Sequence, residues 1–333
     1  MKSASVIVLN LNGKHLLEEC LRGLKEQTHP DFETIVVDNA STDGSAEYLA
    51  REHPGVKLVR LAENRGFAGG NAQGLKSAEG RYVALLNNDA VPDAGWLAEL
   101  TGAMEADRTV GICASRVVLY HRPEIMDSAG EDCVTSGHGV RRGSGEPAAR
   151  HAEKRHVFGA CAAAALYRRE MIDEIGFLDR DFFFNCEDTD LNFRAQLAGW
   201  KCLYVPSAVV RHRVGATLAG MRDLAVYHSS RNGEFVWVKN MPAPLMLRFL
   251  HHKLIQEAAS LAYHCVARGG LRPYLRGKLD ALKALHGLMR KRREVQAHRK
   301  ATTGQIRSVL TPIFGTRLVS AKLRQMICFR KRT

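Results

Sequence analysis

"ASVIVLNLNGKHLLEECLRGLKEQTHPDFETIVVDN", residues 4–39, is the stretch that decides the fold. Its two ends, ASVIVLN and FETIVVDN, are short runs rich in Val and Ile, as in strands buried on both faces of a sheet. Between them Leu16, Leu17, Cys20, Leu21 and Leu24 recur at helical spacing and share one face. The alternation continues outward. GSAEYLAREH (44–53) reads as a helix, VKLVRL (56–61) as a strand, AGGNAQGLKSA (68–78) as a helix opened by glycines, and RYVALLNND (81–89) as a fourth strand. Strands separated by amphipathic helices predict an α/β, mainly parallel sheet covered on both faces.

Farther along, the pattern loosens from Val110 to Phe158, a stretch rich in Gly, charge and small polar residues, which predicts a long, partly mobile loop near the substrate. Order returns with a strand and helix over 157–179, a loop entering a helix that ends near Gly199 over FFFNCEDTDLNFRAQLAGW (182–200), and a strand and its exit over KCLYVPSAVVRHRV (201–214). Beyond residue 225 the patterns are long, helical and basic. The reading is therefore a 1–225 catalytic domain followed by a 226–333 basic helical region.

The chain has 333 residues and a formal charge of +13, and the excess is local. Residues 241–333 hold 20 Lys/Arg against 3 Asp/Glu, whereas residues 1–240 hold 28 against 32. Such a tail serves nucleic acid, an anionic membrane face or an acidic partner. The eight cysteines are scattered, without a C-x-x-C pair or Cys/His zinc spacing, which fits a reducing compartment. The N-terminal apolar run is too short for a secretory signal. No segment reaches the ~18–20 apolar residues that cross a bilayer. The best attempt, 241–265, is interrupted by Arg248, His251, His252 and Lys253, so it could lie on a membrane but should not span one.

In open α/β sheets ligands bind beyond the carboxyl ends of the strands. Here those ends carry Asn10 and Asn12, then Asp38 and Asn39, then Glu63, Asn64 and Arg65, then Asn87, Asn88 and Asp89. Four polar clusters in register suggest one site. Asp89 suits a clamp for a metal and a phosphate, or simply opens the turn before Pro92. Asp188 stands at a helix start, as a cap or as a base, and the helix dipole is expected to keep it an anion ready to accept a proton. The stretch ENRGFAGGNAQG (63–74) lacks both the P-loop and the G-x-G-x-x-G spacing, which argues against hydride transfer. His212 leaves its strand where it could ligate a metal, although it is one of fourteen histidines.

Taken in order, VIVLNLNGKHLLEECLRGLKEQ, IVVDNASTDGS, NRGFAGGNAQG, LLNNDAVP and CEDTDLNFRAQLAGWKCLYVPSAVVRH resemble the inverting family 2 glycosyltransferases of the GT-A fold. Within that family the chain looks most like rhamnosyltransferase-like enzymes of bacterial cell-surface polysaccharide assembly. The resemblance covers roughly residues 4–215 and continues weakly into YHSSRNGEFVWVKN (227–240). It implies that Asn10, Asn12 and Asp38 hold base and ribose, and that Asn64, Arg65 and Gly66, with Asn71 nearby, face the nucleotide. The metal-binding D-x-D motif is represented by Asn87-Asn88-Asp89, so only its last carboxylate remains to take Mg or Mn. The E-D pair falls on Glu187-Asp188, with Asp188 as general base, and His212 becomes a metal or diphosphate contact.

By the same resemblance the donor is a UDP- or dTDP-sugar and the acceptor a glycan or lipid-linked hydroxyl. The basic tail then predicts a cytoplasmic enzyme held peripherally on the inner, anionic face of the cell membrane. Two rival readings are a nucleotidyltransferase of related fold, which lacks its Lys-rich glycine loop here, and a nucleic-acid binder acting through the tail. Aromatics are sparse in that tail, so no nucleic-acid partner is expected. The oligomeric state is not encoded in any motif.

Overall fold

The computed structural model describes residues 2–215, 221–266 and 270–313; the others, Cys328 among them, lie outside the described residues. The chain opens as β1 (Ala4–Asn10), α1 (Lys14–Lys25), β2 (Phe32–Asp38), α2 (Ser45–Glu52), β3 (Lys57–Arg60), α3 (Gly66–Ser77) and β4 (Tyr82–Asn87). Strands β3, β2, β1 and β4 lie side by side and parallel. Asn10 pairs with Asp38 and Leu9 with Asn87, so three strands end level and deliver their polar termini to one edge. Side chains alternate between two cores. Val6, Val8, Val36 and Leu86 meet Leu17, Cys20 and Leu21 of α1 on one face, while Ile7, Ile35, Val37 and Leu85 face Ala68 on the other.

The stretch from Val110 to Phe158 is not a loop. After β5 (Ala90–Pro92) and α4 (Trp96–Ala106) come β6 (Val110–Leu119), β7 (Arg122–Ser128), β8 (Glu131–Val134), β9 (Gly139–Arg141) and β10 (Arg155–Val157). Strand β6 is ten residues long and sits inside the sheet. The following strands are too short for a period to emerge, and they bury polar side chains that satisfy one another. Gly130 and Gly137, with φ of 94° and 81°, bracket β8 where only a left-handed backbone turns the chain.

Next come β11 (Ala164–Arg168), α5 (Arg169–Ile175), α6 (Glu187–Leu197) and β12 (Lys201–His212), which complete the large sheet in the order β10-β12-β6-β11-β4-β1-β2-β3. Strand β11 is antiparallel to both neighbours, β4 and β6, and β12 runs parallel to β6. Strand β5 pairs antiparallel with the end of β12, placing Ala90 opposite His212. That pairing brings the chain around Asp89 back against the last residue of a strand far away in sequence.

The C-terminal part folds as α7 (Arg222–Asn240), α8 (Ala243–Val266), α9 (Leu271–Lys283), α10 (Leu285–Ala297), α11 (Thr303–Val309) and β13 (Leu310–Thr311). Strand β13 joins β8 and β9 in a small second sheet. A third core joins Phe158, Phe182 and Phe193 to Phe235, Trp237, Phe249 and Ile306. Asp190, fully buried on α6, accepts hydrogen bonds from Lys239 Nζ (2.9 Å), Asn240 Nδ2 (2.8 Å) and Arg194 Nε (2.9 Å). Burial works against its charge, yet Lys239 and Arg194 outweigh it and hold this carboxyl below its usual range. Asp190 thus fastens α6 to α7 and is a structural acid.

Candidate active site

A cavity of about 920 Å³ opens at the carboxyl edge of the parallel strands. Asn64, Gly66, Asn87 and Asn88 line one side, and Glu187, Asp188 and His212 line others. The amides at the strand ends hold one another. Asn88 Nδ2 donates to Asn10 Oδ1 (2.8 Å), and Asn10 Nδ2 to Ser41 Oγ (3.2 Å). Asn39 Nδ2 donates to Asn64 Oδ1 (2.9 Å) while its Oδ1 accepts from the Arg65 amide (2.9 Å). Asn12, at φ 51°, accepts from the Thr42 amide (2.7 Å). These bonds fix a polar shelf before any ligand arrives.

Asp38 and Asn71 lie behind that shelf, Arg65 and Gly66 at its rim. Asp38 is buried, and its Oδ1 has no hydrogen-bond partner. Asn71 is buried within α3 and donates to Phe67 O (2.9 Å). Arg65 is exposed beside Glu63 (3.4 Å). Gly66, at φ 68°, packs against the next segment of the site, since a Cβ there would meet the carbonyl and ring of Phe183. The Ala68 amide donates to the same carbonyl (3.0 Å).

Asp89 is 5% exposed and sits at the foot of a row of charges. His212 Nε2 lies 3.2 Å from Asp89 Oδ1, an oxygen that makes no well-formed hydrogen bond. The other ring nitrogen, Nδ1, is 2.9 Å from Asp127 Oδ2, and Arg141 Nη1 donates to Asp127 Oδ1 (2.7 Å). Burial disfavours the Asp127 carboxylate, but Arg141 and His212 outweigh it and hold its pKa near 2. Burial likewise opposes the His212 cation, and the hydrogen bond to Asp127 together with the adjacent Asp89 carboxylate reverses the balance, lifting it to about 9. A histidine oriented by a carboxylate on one nitrogen presents the other in a fixed direction.

Across the cavity, Asp188 occupies the first turn of α6. Its Oδ1 accepts from the Thr189 amide (2.8 Å) and Oδ2 from the Ala162 amide (3.3 Å). Burial raises its pKa, and the two amides and Arg141 only partly offset that. Glu187 is lifted well above the carboxylate range by burial and by the charge of Asp188, and so is Glu131. Glu131 accepts from Thr189 Oγ1 (2.6 Å) and Asn192 Nδ2 (2.8 Å). Of three carboxyls crowded together, Asp188 alone has two amides and a guanidinium favouring its charge, so the negative charge settles there. The result is a carboxylate with raised proton affinity facing a cavity.

The loop that presents Asp188 is strained. Phe183, Asn185 and Cys186 have φ of 62°, 67° and 67°, a region that non-glycine residues occupy at a cost of ~1–3 kcal/mol each. Asn232 of α7 holds them there. Its buried Nδ2 lies 2.8, 2.9 and 2.7 Å from the carbonyls of Phe182, Phe184 and Asn185. Replacing Asn232 by alanine orphans these buried acceptors and is expected to destabilise the fold by about 2–3 kcal/mol. The check is urea unfolding, together with faster amide exchange over residues 182–186 than elsewhere.

Sequence reasoning missed Asp127, Glu131, Arg141 and Asn232. The first three fall in the stretch taken for a loop, where a signal existed: short runs closed at both ends by glycine. Asn232 had none, because its partners are backbone carbonyls that carry no sequence mark.

With the geometry in place, comparison with known proteins is informative. The family model described as Glycosyl transferase family 2 matches residues 5–176. N-acetylglucosaminyl-diphospho-decaprenol L-rhamnosyltransferase of Mycobacterium tuberculosis is 26% identical over 314 residues, spanning 82% of this chain and 95% of that one. Pre-mycofactocin glycosyltransferase of the same organism is 29% identical over 205 residues, spanning 61% of this chain and 40% of its own. The chain thus spans only about two fifths of that relative's length. Among solved structures, the mannosyltransferase PcManGT from Pyrobaculum calidifontis, in complex with GDP-Man and Mn2+, superposes with a TM-score of 0.52 at 23% identity, over 92% of this chain and 86% of that one. At that identity the likeness speaks for the fold, the α/β GT-A arrangement.

Proposed function

The chain belongs to glycosyl transferase family 2, and from that premise we propose that it moves a sugar from a UDP- or dTDP-sugar to a hydroxyl of a lipid-linked or polysaccharide acceptor in cell-envelope glycan synthesis. The observation that carries this reading is Asp188: a carboxylate with raised proton affinity lining the same cavity as Asn87, Asn88 and the His212 that abuts Asp89. The rhamnosyltransferase likeness along nearly its whole length makes rhamnose the first sugar to try.

In this reading Asn10, Asn12 and Asp38 hold base and ribose, while Asn64, Arg65 and Gly66 flank the nucleotide and Asn71 stiffens the helix behind them. Asp188 takes the proton of the acceptor hydroxyl as that oxygen attacks the anomeric carbon, and the nucleoside diphosphate leaves from the opposite face. One displacement inverts the configuration. Burial keeps Asp188 basic, and Glu187 and Glu131 hold their own protons beside it. Arg141, beside Asp127, is close enough to steady the charge on Asp188.

Asp89 and His212 are the residues that would hold a divalent cation, magnesium or manganese, which when bound neutralises the departing diphosphate. Asp89 Oδ1 fits, a buried oxygen without a well-formed hydrogen bond; His212, held by Asp127, would give up its Nε2 proton to join the cation. Among the described residues no group of three or more His, Cys, Asp or Glu could hold a metal by itself, so phosphate oxygens and water must complete the shell. Residues 1–225 act as the catalytic domain, and the basic 226–333 region serves attachment to the inner face of the membrane. A panel of nucleotide sugars, each with and without Mg2+ or Mn2+, provides the test. One UDP- or dTDP-sugar at a hundredfold its Kd should stabilise the fold by about 2.7 kcal/mol, several degrees in Tm, with the metal, and by less without it. Thermal stability unmoved by every donor would sink the assignment.

A further inference from the structure

Helix α8 is built inside out. The side toward the protein carries Leu245 and Phe249 but also Lys253, whose Nζ meets Glu234 Oε1 (3.0 Å) and Glu257 Oε1 (2.7 Å). The side toward solvent carries Leu247, Leu250, Leu254, Ala258, Leu261 and Cys265, spaced three and four apart in one stripe. Leu247 is 80% exposed, Leu254 60%, and Val266 beside them 87%. Asp and Glu are absent from this face. A water-facing helix surface is ordinarily polar, and a contiguous apolar patch on a monomer marks an interaction site. On α9, Leu275, Leu279 and Leu282 are exposed as well, with Arg272, Arg276 and Lys283 alongside.

We propose that the open face of α8 is a membrane-docking surface, lying flat in the interface of an anionic bilayer with its leucines at the acyl boundary and the neighbouring cations on the headgroup phosphates. Charge selects this occupant. The acids of α8 and α9 are already engaged, Glu257 with Lys253 and Lys278, Asp280 with Lys283 and Tyr227. Arg248, Arg272 and Arg290 have no acidic partner among the described residues. A second copy laid face to face would bring these cations together, whereas an anionic lipid surface answers them. Among the described residues no helix is long and apolar enough to cross a membrane, so α8 lies on the surface. Resting on the glycosyltransferase reading, the placement also suits a lipid-borne acceptor: α7, which lends Leu224 and Tyr227 to the cavity, packs along α9.

The test is sedimentation of the full chain with vesicles of phosphatidylglycerol mixed with phosphatidylcholine, and of phosphatidylcholine alone. Wild type should partition to the anionic vesicles and lose affinity as salt rises. The triple variant Leu247→Ser, Leu254→Ser, Leu261→Ser changes only exposed side chains and should lower that partition at least about tenfold. Arg272→Glu with Arg276→Glu should weaken it at low salt and flatten the salt dependence. Donor-dependent thermal stabilisation should survive in all of them; its absence from wild type would indict the chemistry and not this surface. Three outcomes overturn the proposal: no preference for anionic vesicles, full binding by the leucine triple variant, or a triple variant that turns an oligomer into a monomer without touching vesicle binding.

Discussion

Asp188→Asn is expected to lower sugar transfer by about a thousandfold while leaving donor binding nearly unchanged. A positioned general base contributes ~10²–10⁴ in rate, and the amide cannot accept the proton. The replacement is isosteric, but its Nδ2 cannot accept, so one of the two bonds from the Thr189 and Ala162 amides is lost, while the bonds from Asn232 to the preceding carbonyls still hold the loop. It also removes the Asp188 charge that adds to burial in raising Glu187 and Glu131, so both carboxyls should come down in part while burial still holds them up. Initial rates read the first effect, and donor-dependent thermal stabilisation reads the second. A variant that transfers sugar at near wild-type rate would refute the assigned base.

Asp89→Ala should cost about 10²–10³ in transfer, by analogy with the loss of a single electrostatic stabiliser of a leaving group. Its signature differs from that of Asp188→Asn. The metal-dependent part of donor stabilisation should vanish, leaving the weaker metal-independent part. His212 would keep Asp127 at 2.9 Å, so the ring should stay in place and the fold should survive. Titration of the nucleoside diphosphate with and without Mn2+ separates the two variants. Equal metal dependence in wild type and Asp89→Ala would remove Asp89 from the site.

The first ninety residues were legible because each element there obeys one period. Val6, Val8 and Val36 alternate with Ile7, Ile35 and Val37, and α1 turns a single apolar stripe toward them. The polar strand ends were legible for the same reason, since parallel strands in register must finish together. Beyond Val110 short antiparallel pieces flank the long strands β6 and β12, and their buried positions include Asp127, Ser128 and Glu131. Their partners, Arg141, Thr189 and Asn192, are far off in sequence. Composition alone makes such residues look like a solvated loop.

The acids show the same limit. Asp188 and Asp190 lie two residues apart at one helix start, yet burial beside Glu187 raises the first while Lys239 and Arg194 hold the second down. Nothing local distinguishes them. What separates them is the facing element, a cavity for one and α7 for the other. Likewise the link between Asp89 and His212 depends on β5 folding back on the end of β12, a pairing of three residues.

The most direct test of the account is a crystal structure of the chain with Mn2+ and the nucleoside diphosphate of its donor. The account predicts an anomalous manganese peak in contact with the Asp89 carboxylate and the diphosphate, with the Asp188 carboxylate facing the vacant sugar position across the cavity. Manganese bound away from Asp89, or Asp188 opening on solvent remote from the nucleotide, would contradict it.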